Sequence, residues 1–175
     1  MSDYLVNAAS KPAMRKVMQS MGIPTPTQLA RAEDAYQEKF LDGQRVVVGA
    51  GKNAAARHII QQTLAGTGAD VVEANAEDDN KYDALVFDAT GMTAARDLRA
   101  LYEFFHPIAR QLTRNARVVV LASDPDAMET LAGATAARAV EGFTRSFAKE
   151  IGKFGSTVNL IYVAPGAEER AAGPL

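Results

Sequence analysis

From residue 44 onward, short continuous apolar runs alternate with longer stretches in which apolar residues recur every three or four positions. A continuous β-branched run such as Arg-Val-Val-Val-Gly at 45–49 is typical of a strand buried on both faces. The same reasoning predicts five strands, at 45–49, 70–74, 84–87, 117–122 and 157–163. Three helices are predicted between them, at 53–64, at 98–112 with a kink at Pro107, and at 136–151.

Alternating strands and helices with short connections imply a parallel sheet covered by helices on both faces. The connection between the second and third strands is an exception, because a loop of about nine residues is too short for a packed crossover helix. Its acidic segment, 77–82, is expected to be exposed. We therefore predict an α/β fold, a Rossmann/flavodoxin-like doubly wound sheet of about five strands in the order 2-1-3-4-5.

The N-terminal segment has a different pattern. Ser10 is predicted to cap a helix that begins at Pro12 and carries four apolar residues at helical spacing. The glycine and prolines at 22–26 are expected to end this helix. The predicted organisation is therefore an N-terminal helical appendage, 1–43, followed by a degenerate Rossmann/flavodoxin-like domain, 44–175.

Composition narrows the class of protein without naming a function. With 175 residues, 47% hydrophobic and 23% charged, the chain has the size and balance of one folded domain. Its 19 basic and 21 acidic residues provide no electrostatic footprint for nucleic acid or an anionic membrane. The lack of cysteine excludes disulfides and thiol chemistry. No signal peptide or membrane-length apolar run is present, so a cytoplasmic protein is expected.

Two stretches near the C-terminus, 142–150 and 158–166, resemble a helix and the following strand of the short-chain dehydrogenase/reductase superfamily, including its terminal Pro-Gly. The segment 83–89 and the glycine pattern at 51 and 68–71 support this resemblance. The appendage at 22–26 resembles more narrowly the N-terminal domain of high-molecular-weight 3-oxoacyl-ACP reductases. This resemblance covers nearly the whole chain.

Active members of that family have a cofactor loop Thr-Gly-x-x-x-Gly-x-Gly, whose glycines let the backbone approach a pyrophosphate at a helix N-terminus. The corresponding positions here are Ala50, Gly51, Ala55 and Arg57, so two of the three glycines are replaced. We expect no cofactor bound by this chain. The alternative is that a nucleotide or flavin phosphate is held by the loop residues Gly49, Gly51, Lys52 and Asn53.

The catalytic positions implied by the resemblance are also altered. Ser123 matches the family serine, whereas Gly133 and Ala137 stand where the family has its Tyr-x-x-x-Lys pair. That tyrosine is the proton donor and the lysine sustains it, so both groups needed for proton transfer are missing. Asp88 replaces the first residue of the family's Asn-Ala-Gly motif, and we expect it to cap a helix beginning near Thr93.

Other candidate groups are few. Ser123 is expected to act as a helix cap beside Asp124. Neither His58 nor His106 has a partner at metal-ligand spacing, so no metal site is expected. Glu73, near the end of the second strand, occupies the place of a ribose-binding acid in dinucleotide-binding folds. Without the glycine loop, this position is only weak support for nucleotide binding.

The leading interpretation is a non-catalytic N-terminal domain of a 3-oxoacyl-ACP reductase, whose parent enzyme reduces 3-oxoacyl thioesters with NADH or NADPH. The resemblance implies as partners the parent's C-terminal ketoreductase domain, a second copy through the helix 134–151, and acyl carrier protein or acyl-CoA. One alternative is a nucleotide- or flavin-binding module using the loop 49–53. Another is an intact short-chain oxidoreductase with relocated catalytic groups.

Overall fold

The computed structural model describes residues 4–23, 25, 27–30, 38–77 and 81–175. Within these ranges, five strands form one parallel sheet in the order β2-β1-β3-β4-β5, which confirms the predicted topology. The strands are β1 Arg45–Ala50, β2 Asp70–Val72, β3 Tyr82–Ala89, β4 Leu112–Ser123 and β5 Thr157–Val163. The helices are α1 Tyr4–Ser10, α2 Pro12–Ser20, α3 Arg57–Thr67, α4 Arg99–Ile108 and α5 Leu131–Gly152.

Helices cover both faces of the sheet because successive side chains of a strand point to opposite sides. On one face, the strand residues Val47, Leu85 and Val118 pack in a cluster with residues of α4 and α5. On the other face, their neighbours Val46 and Val86 pack with residues of α3. This arrangement explains why the central strands β1, β3 and β4 contain the continuously apolar runs 46–48, 84–87 and 118–122 rather than alternating patterns.

The connection between β2 and β3 has no helix in its described parts, 73–77 and 81, as predicted. Part of the predicted acidic segment, 78–80, lies outside the described residues. The loop is held by Tyr82, whose buried hydroxyl donates to the carbonyl of Asn75 and accepts from its amide. The side chain of Gln111 donates to the same carbonyl at 2.9 Å. Side-chain hydrogen bonds therefore replace the packing that a crossover helix would provide.

Several predicted helix boundaries were wrong, including the start of α5, which lies at Leu131 rather than at 136. The first helix begins at Arg57 rather than at 53, because Asn53 has a positive φ of 63° and the following amides bond to another loop. The helix predicted at 98–112 ends at Ile108, soon after Pro107, and a short 3₁₀ turn at Ala109–Gln111 follows. β4 then begins at Leu112, five residues earlier than predicted.

In the described part of the N-terminal segment there are two short helices, where one was predicted. Ser10, predicted to cap α2, ends α1 instead, and its hydroxyl donates to the carbonyl of Asn7. Lys11 occupies the cap position of α2 and makes no side-chain capping bond. Gly22 follows the end of α2 with a φ of 69°, as expected for a C-terminal glycine. Pro24 and Pro26 lie outside the described residues.

Phenylalanines join the two helices on one face to the sheet. Phe105 of α4 is 2% exposed, and its ring centroid lies 4.9 Å from Phe143 and 5.0 Å from Phe147, both on α5. It also lies 5.6 Å from Phe87 of β3 and 4.9 Å from Phe104. Aromatic pairs at these separations stabilise a core beyond the area that they bury.

Replacing Phe105 with alanine should lower the free energy of unfolding by about 3–5 kcal/mol, because it leaves a cavity between the sheet, α4 and α5. Urea unfolding followed by circular dichroism measures this loss. Tyr102 is the matched control, since its side chain is on the same helix but 62% exposed. Tyr102→Ala should change stability by less than about 1 kcal/mol. Equal losses in the two variants would contradict the assignment of Phe105 to the core.

Candidate functional site

Ligands of doubly wound sheets bind beyond the carboxyl ends of the strands. In this chain, β1, β3 and β4 end side by side at Ala50, Ala89 and Ser123. The loops that follow these three strands therefore form the candidate functional site. They contain most of the residues that the sequence marks for chemistry.

Asp88, near the end of β3, is fully buried at the centre of this site. Its Oδ2 accepts a hydrogen bond of 2.8 Å from the amide of Ala56, at the start of α3. Its Oδ1 accepts from the amide and the hydroxyl of Thr90, at 3.0 and 2.5 Å. The prediction that Asp88 caps a helix near Thr93 was therefore wrong, because its carboxylate instead binds the start of α3.

Thr90 extends this contact to the preceding residue. Its hydroxyl oxygen accepts from the amide of Ala55 at 2.8 Å while the hydroxyl proton is donated to Asp88. In addition, the amide of Gly51 donates to the backbone carbonyl of Asp88 at 2.8 Å. The loop between β1 and α3 is therefore tied to the end of β3 at both of its ends.

The glycines of the β1–α3 loop make room for atoms of the protein itself. A Cβ on Gly49 would lie 2.3 Å from the ring of Phe104, and one on Gly51 would lie 2.8 Å from the terminal methyl of Met92. Met92 is buried. The close approach that these glycines permit is therefore used by Phe104 and Met92.

The two polar residues of the predicted anion loop, Lys52 and Asn53, are exposed. Lys52 lies near Asp97, which receives hydrogen bonds of 2.9 Å from the amides of Thr93 and Ala94. The Thr93 amide, followed by that of Ala94, lowers the pKa of Asp97, and the charges of Arg96 and then Lys52 add smaller effects in the same direction. The charge of Lys52 thus acts on a carboxylate of the neighbouring loop.

Ser123, which matches the family serine, lies at the end of β4, and its Oγ accepts from the amide of Gly91 at 3.2 Å. The prediction that Ser123 caps a helix was wrong. Asp124 instead caps the following 3₁₀ turn by accepting from the amide of Asp126 at 3.0 Å. The serine therefore joins the loops after β3 and β4.

The two positions that correspond to the family's Tyr-Lys pair, Gly133 and Ala137, are both buried on α5. The amide of Gly133 donates to the hydroxyl of Thr130, which caps the helix. A Cβ on Gly133 would lie 2.5 Å from the terminal methyl of Met128. No proton-donating side chain exists at either position, and the space at Gly133 is filled.

Tyr162, near the end of β5, is a candidate for a proton donor that has moved to another place in the fold. Its hydroxyl donates to Glu141 at 2.9 Å, and Glu141 is also bonded by Arg145 at 2.6 Å. Burial raises the pKa of Tyr162, and the bond to Glu141 raises it further. A catalytic tyrosine needs a cation that favours loss of its proton. The Tyr162 hydroxyl is bonded to an anion, and Arg138 lowers its pKa by less than burial and Glu141 raise it, so Tyr162 does not replace the missing pair.

The remaining candidates take no part in the contacts described above. His58 is in α3, whereas His106 is in α4 and its ring stacks on Tyr102 with centroids 4.6 Å apart. Glu73 is exposed after β2. In the described residues, no group of three or more potential ligands could hold a metal ion. No helix among them is long and apolar enough to cross a membrane.

Sequence reasoning found Asp88 but missed what it binds. The signal was present as an aspartate and a threonine two positions apart at the end of a buried strand. A short polar pair in that position can satisfy orphan amides of a neighbouring helix. Its partner amides are 32 and 35 positions away in the chain, so only the fold identifies them.

Replacing Gly91 with alanine should destabilise the protein by about 3 kcal/mol or more. Gly91 has a φ of 78°, and a Cβ there would lie 2.2 Å from the carbonyl oxygen of Asn53. Gly142 on α5 is the control, since nothing lies within 4 Å of its would-be Cβ. Gly142→Ala should stabilise the helix by about 0.5–1 kcal/mol. If Gly91→Ala unfolds at the same urea concentration as the native chain, the loops are not packed as described.

No protein-family model matches this sequence, and no curated protein matches it either. Solved structures do match. A short-chain dehydrogenase/reductase from Serratia marcescens is 20% identical with a TM-score of 0.61, over 77% of this chain and 88% of that one. BdcA in complex with NADPH is 20% identical with a TM-score of 0.52, over 77% and 86% of the two chains. The chain therefore has the α/β fold of the short-chain dehydrogenases/reductases.

Proposed function

We propose that this chain is a non-catalytic N-terminal domain of a 3-oxoacyl-ACP reductase, acting in the cytoplasm. In the parent enzyme, a C-terminal ketoreductase domain would reduce 3-oxoacyl thioesters with NADH or NADPH. The observation that carries the proposal is that Gly133 and Ala137 occupy the proton-donor positions and are buried. The sequence resemblance supports the parent enzyme, and the structural likeness supports the reductase fold.

Ketone reduction requires a hydride at the carbonyl carbon and a proton at its oxygen. Ser123 has a hydroxyl at the right strand end, but its oxygen already accepts from Gly91. A serine hydroxyl has too high a pKa to supply a proton efficiently without a second acid. The described site therefore retains one polar group of the family's set and has no proton donor.

The residues of the β1–α3 loop do not fit a dinucleotide. Its phosphates would need amides at the start of α3 and a bare surface over the glycines. The amides of Ala55 and Ala56 are already bonded to Thr90 and Asp88, and Met92 lies against Gly51. A pyrophosphate would also be placed beside the Asp88 carboxylate, and like charges repel. We therefore derive no reaction step through a nicotinamide.

The isolated chain should neither bind NADPH nor oxidise it with acetoacetyl thioester, because proton donor and open loop are both missing. Thermal melts with NADH, NADPH and FMN, together with an absorbance assay of NADPH, measure this. A melting shift at micromolar ligand that is lost in Lys52→Ala would favour the nucleotide- or flavin-binding module instead. Turnover by the native chain would favour a reductase with relocated groups.

If the domain is not catalytic, the role that we propose for it is in assembly of the parent enzyme. A groove runs between α4 and α5, with two adjoining cavities of about 520 and 540 Å³. Phe143 and Phe147 line it, and Phe154 continues it towards the end of α5. We propose that a second copy of the chain covers this groove, while acyl carrier protein or acyl-CoA delivers substrate to the parent enzyme. Small residues of a helix permit close approach of a second helix; on α5, Ala137 is buried against its own chain, whereas Ala134 and Ala148 remain partly accessible.

Ser146→Arg should convert the proposed dimer to a monomer, because this exposed residue of α5 lies between the groove-lining positions 143, 147 and 150. A long charged side chain there prevents close approach of a second helix. Multi-angle light scattering after gel filtration measures the mass. Gln62→Arg is the control, since Gln62 is exposed on α3, which covers the other face. A native chain that elutes as a monomer would refute the dimer.

A further inference from the structure

The least expected group in the molecule is the carboxylate of Asp88, which is 0% exposed. In the part of the chain that the structure describes, no ion pair involves it. Burial of a carboxylate without compensation is costly, so its partners must replace the hydration that it loses. They are three hydrogen-bond donors, namely two amides and one hydroxyl.

One of these donors has a special position. Ala56 is the N-cap residue of α3, a helix of 11 residues. The amides at a helix N-terminus are unsatisfied within the helix and carry a partial positive charge, so they favour an anion. Asp88 supplies that anion from the neighbouring strand, at 2.8 Å from the Ala56 nitrogen.

The loop that leads to this helix is the one on which the fold carries a pyrophosphate, and Ala55, Ala56 and Arg57 correspond to the family's Gly-x-Gly. Here, the amide of Ala56 points to the carboxylate of Asp88 near the end of β3, and the amide of Ala55 points to the hydroxyl of Thr90 in the loop after it. We infer that the Asp88 carboxylate is the chain's own substitute for the cofactor phosphate, held in place by the Thr90 hydroxyl. This inference rests on the proposed absence of a cofactor.

Two consequences follow from the substitution. The β1–α3 loop is held in position by Asp88 and Thr90, so its order does not depend on a bound dinucleotide. Removing the carboxylate exposes the amide of Ala56, and the helix N-terminus then accepts an anion from solution. Asp88→Ala is therefore expected to uncover a latent site for a small phosphate anion.

The test compares thermal melts of the native chain, Asp88→Ala and Leu64→Ala, with inorganic pyrophosphate or sodium chloride at equal ionic strength. Asp88→Ala should lower the Tm by about 5–10 °C, because buried amides lose their acceptor. Pyrophosphate should restore several degrees in a saturable manner. Leu64 is buried on the same helix, so Leu64→Ala is destabilised with the Asp88 contact intact. Like the native chain, this variant should show only the small, unspecific rise in Tm that is produced by salts excluded from the protein surface.

Equal recovery of Leu64→Ala would overturn the inference, as would a folded Asp88→Ala chain that pyrophosphate does not stabilise. If Asp88→Ala is unfolded in chloride, the inference requires that pyrophosphate restores its far-ultraviolet circular dichroism, and failure to do so also overturns it. Asp88→Asn provides a second check. Its amide fills the space, so it should lose stability and gain nothing from pyrophosphate. NADPH binding by the native chain would instead refute the proposed function, which separates the two failures.

Discussion

A carboxylate that is buried without hydrogen bonds strongly destabilises a fold. The need to bond the Asp88 carboxylate determines how the loops at the carboxyl edge of this sheet are arranged. Asp88 accepts from Ala56 and from Thr90, and Thr90 accepts in turn from Ala55. The bonds from Ala56 and Ala55 join the end of β3 and the loop after it to the start of α3, and the bond between Asp88 and Thr90 links the two acceptors. The positive φ of Gly91 and its contact with Asn53 follow from the same closeness of the two loops. The path from β1 into α3 is thus set by the acceptors on β3 as well as by the sequence of the loop.

The other physical contribution is apolar and acts on both faces of the sheet. Phe105 joins α4 to the sheet and to α5, whereas Ile60 and Leu64 of α3 pack on the opposite face. These layers fix how close the strand ends lie, and hence whether the side chain of Asp88 can reach α3. The polar contacts at the carboxyl edge of the sheet then select one arrangement of the loops, since each of the polar groups named above has a hydrogen-bond partner.

Much of the fold could be predicted because its signals are local. Each buried strand is a continuous apolar run, and β5 was predicted with its observed bounds at 157–163. The boundaries that failed depend on distant contacts. The start of α3 is delayed by bonds to Asp88 and Thr90, and Ser10 belongs to a helix that its local pattern does not mark. The site was only partly predictable for the same reason, since the sequence shows which groups are missing but not which groups fill their place.

The two departures from the family's sequence pattern lie at separate places in the structure. Gly133 and Ala137 lie on α5, whereas the contact between Asp88 and Ala56 lies between β3 and α3. Loss of the proton donor alone would leave a site that still binds a cofactor, and closure of the loop alone would leave an acid without a hydride source. Under the proposed function, both differences would have to be reversed before the chain could reduce a ketone. Under the same proposal, the packed sheet and the helix surfaces are the parts of the chain left to carry a function.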